Sequence, residues 1–280
     1  MLQIKNISKT FYKGMEEENQ VFNNFSLDIE ENKCVAILGP NGCGKSTLFN
    51  MISGSLNPDK GEIILDHVDI AKLSEDKRAI DIGKVNQDPS KGVCQSLNIL
   101  ENMSMAFKKG HKFTFKKLID KANNEKIIEK LKSLDLGLEN KLKTQVKFLS
   151  GGQRQSLSLL MATVKKPKIL LLDEHTAALD PKTSKLIMDK TNDLIKKEKI
   201  TTLMITHNLK NAIEYSDRII MLNKGEVVLD ILPSEVTEEE LNRIYNEKIE
   251  ESNNIESERL KSLENMKKMR IRIVWSSHKP

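Results

Sequence analysis

The chain has 280 residues, a formal net charge of +5 and 38% hydrophobic residues. It is long for one compact domain and short for two full ones, and no run approaches the roughly 18–20 apolar residues that span a bilayer. The N-terminus carries no signal-peptide pattern, and three cysteines without metal-ligand spacing, Cys34, Cys43 and Cys94, fit a reducing cytosol.

The first forty residues read as β structure, with strands over Leu2–Ile7, Phe25–Ile29 and Cys34–Leu38 and a turn at Glu30-Glu31-Asn32. The third run leads directly into Gly39-Pro40-Asn41-Gly42-Cys43-Gly44-Lys45-Ser46-Thr47, a complete G-x-x-x-x-G-K-S loop between a strand and a helix. Gly39, Gly42 and Gly44 let the backbone curl so that successive N–H groups point at phosphates. Lys45 brings a positive charge to the β- and γ-phosphates, the Ser46 hydroxyl can ligate Mg²⁺, and the helix opening near Ser46 adds its dipole. Cys43, set among those N–H groups, is expected to favour its thiolate. The spelling predicts binding of a nucleoside triphosphate.

Gly61–Leu65 adds a strand, and from about Pro89 to Val146 the pattern turns helical. Ser150-Gly151-Gly152 then opens a helix over Gln153–Thr163, a second anion site or simply a helix cap. Lys168–Leu172 is a continuous apolar run, as in a parallel strand buried on both faces, and it delivers the paired acids Asp173 and Glu174. Leu203–Thr206 delivers His207 in the same way. Strands over Arg218–Leu222 and Glu226–Asp230 follow, and Thr237 caps a helix with acids in its first turn.

These motifs and their order resemble the ATP-binding-cassette (ABC) family over roughly Met1 to Ile231. The resemblance implies an α/β P-loop NTPase cassette with a RecA-like core, an antiparallel β subdomain and an inserted α-helical subdomain. It divides the chain into an ATPase domain at 1–231 (helical subdomain about 89–147), a C-terminal helix at 232–250 and a tail at 251–280. Leu149-Ser150-Gly151-Gly152-Gln153-Arg154-Gln155 matches the family signature, which closes on the γ-phosphate held by the opposite subunit, so a nucleotide-sandwiched homodimer is implied. Asp173 resembles the Walker B aspartate that binds Mg²⁺ through water, Glu174 the carboxylate that polarises the attacking water, and His207 the switch histidine on the γ-phosphate. Gln87 resembles the Q-loop glutamine that senses Mg²⁺ and water. Thr176–Asp180 resembles the D-loop that crosses the dimer interface, and Phe11 the aromatic that stacks on adenine, with Tyr12 as its neighbour and alternative. His175 departs from the proline usual at its position, which removes a rigid φ.

The narrower run from Leu159 through Pro181, with Asp88–Gly92 and Asn98–Asn102, is similar to ATPase subunits of bacterial importers of the tryptophan/tyrosine type, which work with an extracytoplasmic solute-binding protein. The resemblance therefore implies ATP and Mg²⁺ as cofactors, integral membrane permease subunits as partners, and a peripheral position on the cytoplasmic face of a bacterial cell membrane. A soluble ABC ATPase of iron–sulfur assembly is the alternative. Between Lys108 and Lys147 twelve lysines stand against five acids, which fits a solvated helix face or attraction to anionic headgroups at about 1 kcal/mol per basic residue. Few aromatics accompany them, so no nucleic-acid partner is expected.

Overall fold

The computed structural model describes residues 1–110 and 121–251. The middle of the basic stretch and the 251–280 tail beyond its first residue lie outside the described residues, and with them the headgroup reading of that stretch and any role for the tail. Residues 1–235 form one compact unit; 236 onward forms a second, of which residues 238–251 are helical. That helix opens on a reciprocal cap, Glu240 N–H donating to Thr237 Oγ1 and Thr237 N–H to Glu240 Oε2.

The first unit begins with a four-stranded antiparallel sheet. β1 (Leu2–Phe11) pairs with β2 (Asn19–Ile29) on one side and β4 (Lys60–Leu65) on the other, and β5 (Val68–Asp69) closes the edge. The strands run further than the apolar pattern indicates. β1 continues to Phe11 and β2 starts at Asn19 because ladder pairing between Phe11 and Asn19 extends a hairpin whose outer residues face water. Leu2, Ile4, Ile7, Phe22, Phe25, Leu27 and Ile29 alternate inward and are buried.

The second sheet has six strands in the order β10-β9-β3-β8-β7-β6. They are β3 (Cys34–Leu38), β6 (Ile82–Val85), β7 (Ile169–Asp173), β8 (Thr201–Ile205), β9 (Arg218–Asn223) and the antiparallel edge strand β10 (Glu226–Ile231). The five strands other than β10 are parallel. The continuous apolar runs read in the sequence are what two covered faces require: every residue of β3 and β8 is buried. Ligand chemistry in such sheets collects beyond the carboxyl ends of the strands, and there β3, β7 and β8 deliver Gly39, Glu174 and Thr206.

Helices cover the sheet. α1 (Lys45–Ser53) follows β3, the short α2 (Glu75–Arg78) precedes β6, and α6 (Pro181–Glu198) and α7 (Leu209–Tyr215) follow β7 and β8. A separate cluster gathers α3 (Ile99–Phe107), α4 (Lys121–Lys132) and one face of α5 (Gly151–Thr163) around Ile99, Met103, Ile127, Leu131, Leu157 and Leu160. α3 starts on a capping box, Asn98 Oδ1 accepting from Glu101 N–H while Glu101 Oε2 accepts from Asn98 N–H.

Arg78 ties the first sheet to α1. Its guanidinium is 2% exposed, yet every nitrogen finds an acceptor: Nε donates to Leu73 O, Nη1 to Met51 O and Ile52 O, Nη2 to Ala71 O and Asn57 Oδ1. The carbonyls of Met51 and Ile52 belong to the last turn of α1 and have no partner within the helix. Arg78→Met removes their donor without opening a large hole. It should cost about 2–4 kcal/mol, the scale of buried acceptors stripped of a charged partner. Urea unfolding of the variant, with unchanged slope and a lower midpoint, is the measurement that checks this.

Candidate functional site

The loop between β3 and α1 is built from backbone that only glycine adopts freely. Gly39, Gly42 and Gly44 have φ of +144°, +80° and +110°. Space is as restrictive as torsion. A Cβ on Gly39 would strike Leu222 O, and one on Gly44 would lie 2.7 Å from Phe22 Cζ. From below, Gly225 N–H in the β9–β10 turn donates to Cys43 O at 3.1 Å. Lys45, 6% exposed, curls back under the loop, its Nζ donating to Gly39 O at 2.6 Å and Pro40 O at 2.9 Å. Asn41, Gly42 and Ser46 face solvent, Pro40 and Thr47 partly so.

Cys43 corrects one expectation. Its side chain turns away from the cradle into the hydrophobic core and is 3% exposed. Burial pushes its thiol pKa up, against the opposing pull of Lys45. The N–H groups of the loop therefore do not yield a reactive thiolate; the residue fills space beneath Gly39, whose Cβ would meet its Sγ at 2.8 Å.

The carboxylates come from β7. Burial raises the pKa of Asp173; the charges of Lys84, then Lys45, pull the other way, while Glu174 adds to the rise. Glu174 sits in the left-handed region at φ +46°, a conformation costing of order 1 kcal/mol for a residue with a Cβ. Its N–H donates to Ile205 O at 3.1 Å, and its carbonyl accepts from Ala177 N–H at 2.9 Å. This turn aims the side chain at β8, where Glu174 Oε1 lies 2.7 Å from His207 Nε2. His207 in turn stands between Thr206, whose Oγ1 accepts from Asn208 N–H, and Asn208, which caps α7. A cavity of about 450 Å³ beside the pair is lined by Glu174, His175, Thr206 and His207 among others. A second, of about 370 Å³, brings Gln87, Lys91 and Asp173 together.

His175, in place of a proline, is buried and lies 3.4 Å (Nε2) from Thr191 Oγ1. Because the Thr191 hydroxyl already donates to Ile187 O at 2.7 Å, its oxygen accepts from the imidazole. Desolvation lowers the His175 pKa to about 4, so it adds no charge beside Glu174 at neutral pH.

The remaining motif lies at the start of α5. Ser150 Oγ accepts from Gln153 N–H at 3.2 Å and Gln153 Oε1 from Ser150 N–H at 3.3 Å. The capping bond uses an oxygen lone pair, so the Ser150 O–H keeps its hydrogen for an anion. Gly151 and Gly152 lie against Leu179 and Thr183, at the start of α6, and Asp180 caps that helix by accepting from Thr183 N–H at 3.1 Å. Phe11, at the end of β1, is half-buried with Lys9 Nζ 5.7 Å from its ring centroid, whereas Tyr12 is 62% exposed. One residue near the site escaped the sequence reading, and a second was read there only as part of the signature. Lys84 is a lysine inside the buried strand β6, and that incongruity was its signal; it donates to Asn50 Oδ1 at 2.8 Å. Gln155 is a wholly buried glutamine in α5.

A glycine loop cradling the N-terminus of α1, with an acid pair and a histidine on neighbouring parallel strands, defines a P-loop nucleotide hydrolase. A family model described as ABC transporter matches residues 22–177, and the chain belongs to that family. It is 50% identical to the tyrosine transport ATP-binding protein of Clostridioides difficile over 84% of this chain and 93% of that one. It is 34% identical to the phosphonates import ATP-binding protein PhnC of Wolinella succinogenes, over 89% of each chain. Among solved structures, the dimeric post-hydrolysis state of the ATP-binding cassette MJ0796 bound to ADP and Pi aligns with TM-score 0.71 and 32% identity, covering 83% of this chain and 99% of that one. The protein is an ATP-binding, ATP-hydrolysing subunit of an ABC transporter.

The buried imidazole sets an acid limit on stability. The folded chain binds fewer protons at His175 than the unfolded chain, whose histidine titrates near 6.5, so its contribution is intact above that pH and is lost as pH falls toward 4. The loss amounts to roughly 3 kcal/mol at most. Urea unfolding at pH 7 and pH 5 should show a smaller drop for His175→Leu than for the unmodified protein.

Proposed function

We infer that the protein powers import of a small solute through a separate integral membrane permease, with an extracytoplasmic solute-binding protein delivering the solute. The observation that carries the enzymatic half is the 2.7 Å pairing of Glu174 with His207 beside an Asp173 that feels both Lys84 and Lys45. In this reading the N–H groups of Gly39 to Thr47 hold the β- and γ-phosphates of ATP, with Lys45 turning from the loop carbonyls toward them, and the ring of Phe11 stacks on adenine. The Ser46 hydroxyl, the Asp173 carboxylate and the Gln87 amide oxygen are hard oxygen donors suited to Mg²⁺, which neutralises charge on the phosphate oxygens. Glu174 accepts a proton from the water that attacks the γ-phosphorus, while His207 holds that carboxylate and reaches the γ-phosphate.

Ser150, Gly151, Gly152 and Gln153 act on the nucleotide of a second copy, with Asp180 at the same seam, and the dimeric cassette at TM-score 0.71 supports this arrangement. A groove of about 430 Å³ that includes Ile82, Lys84, Met105, Lys109 and Met161 separates the helical cluster from the sheet. Its apolar floor and the exposed Ile80 and Met105 beside it suit the permease. No helix among the described residues is long and apolar enough to cross a membrane; in this reading the protein sits peripherally on the cytoplasmic face, against its permease. The relatives matched over most of both chains are named for transport, and that favours the importer over an iron–sulfur assembly ATPase. The tyrosine transport relative makes an aromatic amino acid the first solute to test.

Glu174→Gln retains shape but cannot take the proton. It should bind ATP, lose turnover by at least a hundredfold, and run as a dimer in size-exclusion chromatography only with ATP. Normal turnover in this variant, or a monomer saturated with ATP, would remove the catalytic assignment and the sandwich. Copurification tests the partner: tagged protein expressed with the adjacent reading frames should bring down a polytopic membrane protein.

A further inference from the structure

Along α5, two stripes of side chains do different work. Leu157, Leu160, Met161 and Val164 face the helical cluster. Gln155, Ser158 and Ala162, spaced i, i+3 and i+7 on another face, lie against β6 and the segment that carries Gln87. The fit is close at each of the three. A Cβ on Gly83 would be 2.7 Å from Ala162 O, and a Cβ on Gly92 would collide with Ser158 Oγ. N-terminal to both on α5, Gln155, 0% exposed, donates its side-chain N–H (Nε2) to Asn86 O at 3.1 Å. Asn86 is the residue before Gln87. About one turn toward the N-terminus of the same helix stand Ser150, Gly151 and Gly152.

We propose that Gln155 is a positioning residue for Gln87: through its bond to the Asn86 carbonyl, the helix that begins at Ser150 and the loop that ends at Gln87 move as one piece. The proposal rests on the ATP-sandwich reading given above. A closing movement of Ser150–Gly152 onto the partner subunit's nucleotide then drives Gln87 toward Asp173 in its own site, so each nucleotide reports on the other. The glycines at 83 and 92 supply close backbone contact without side-chain locking, which makes them pivots, whereas the glutamine is a directional link. Gln155 Oε1 is buried with no hydrogen-bond partner. The amide is therefore retained for its donor rather than for general polarity, since an unpaired buried acceptor is itself unfavourable.

The test uses the full chain. Gln155→Leu removes the donor at similar volume; turnover should fall about tenfold while KM for ATP stays within about twofold. In the Glu174→Gln background the same substitution should leave the ATP-dependent dimer intact. The effect should vanish when Gln87→Ala is already present, because a residue acting through Gln87 has nothing further to remove. Gln155→Glu adds a readout that packing alone would not move: its carboxyl donates to Asn86 O only when protonated, so turnover should decline with rising pH along a limb absent from the unmodified protein. Unchanged turnover in Gln155→Leu, full additivity with Gln87→Ala, or loss of the ATP dimer would overturn the assignment. Failure of Glu174→Gln alone to dimerise would instead overturn the sandwich on which it rests.

Discussion

The site depends on how tightly the phosphate loop is pressed onto the end of the central sheet. Gly39 has no room for a side chain above Leu222 O, Gly44 none beside Phe22, and Cys43 O is held by Gly225 N–H. A loop with three left-handed glycines would be floppy in isolation, because glycine loses the most freedom on folding. Here it is fixed from β9, from the β9–β10 turn and from β2. The N–H groups are consequently oriented before any anion arrives, which is where electrostatic stabilisation of charge is most effective. Phe22 and Phe25, tilted against each other at 4.9 Å, are thus functional at one remove: they are the wall against which the loop is cast.

Charge is handled by position as much as by pairing. Asp173 stands at the end of a buried strand where burial raises its pKa, and the charge of Lys84 on the adjacent strand pulls the other way. Glu174, one residue on, is turned by its left-handed backbone to another partner, His207. Two neighbouring acids are in this way given separate surroundings, Asp173 beside Lys84 and Glu174 beside His207. His175 beside them, neutral through burial, leaves that division undisturbed.

The strands that carry the chemistry were legible because each is buried on both faces. Cys34–Leu38 and Ile169–Leu172 have no polar interruption, and each ends in residues whose types announce their task. The Ser150 motif was legible for the same reason: cap and glycines are spelled out locally. What the sequence concealed depends on tertiary partners. The direction of Cys43 is decided by space beneath Gly39, not by the N–H groups around it. Arg78, in an acidic-basic stretch that reads as surface, is buried because the end of α1 needs donors. The extension of β1 and β2 to Phe11 and Asn19 follows from ladder pairing, which leaves no apolar trace on the outer face. Gln155 belonged to a recognised motif, but its bond to Asn86 could not be read until the fold brought the end of β6 across to it.

The helical cluster around Met103, Leu131 and Leu157 has its own apolar interior, distinct from the one that packs β1, β2 and α1. Hydrophobic contacts are shared within each interior, and the seam along α5 includes the close approaches at Gly83 and Gly92 and the Gln155–Asn86 bond. Cooperativity is transmitted by packing, so such a seam divides it. The chain therefore holds two regions able to open separately, each with its own free energy of opening. Amide exchange in α3 and α4 would then follow a different denaturant dependence from that in β3 and β8 below the global transition.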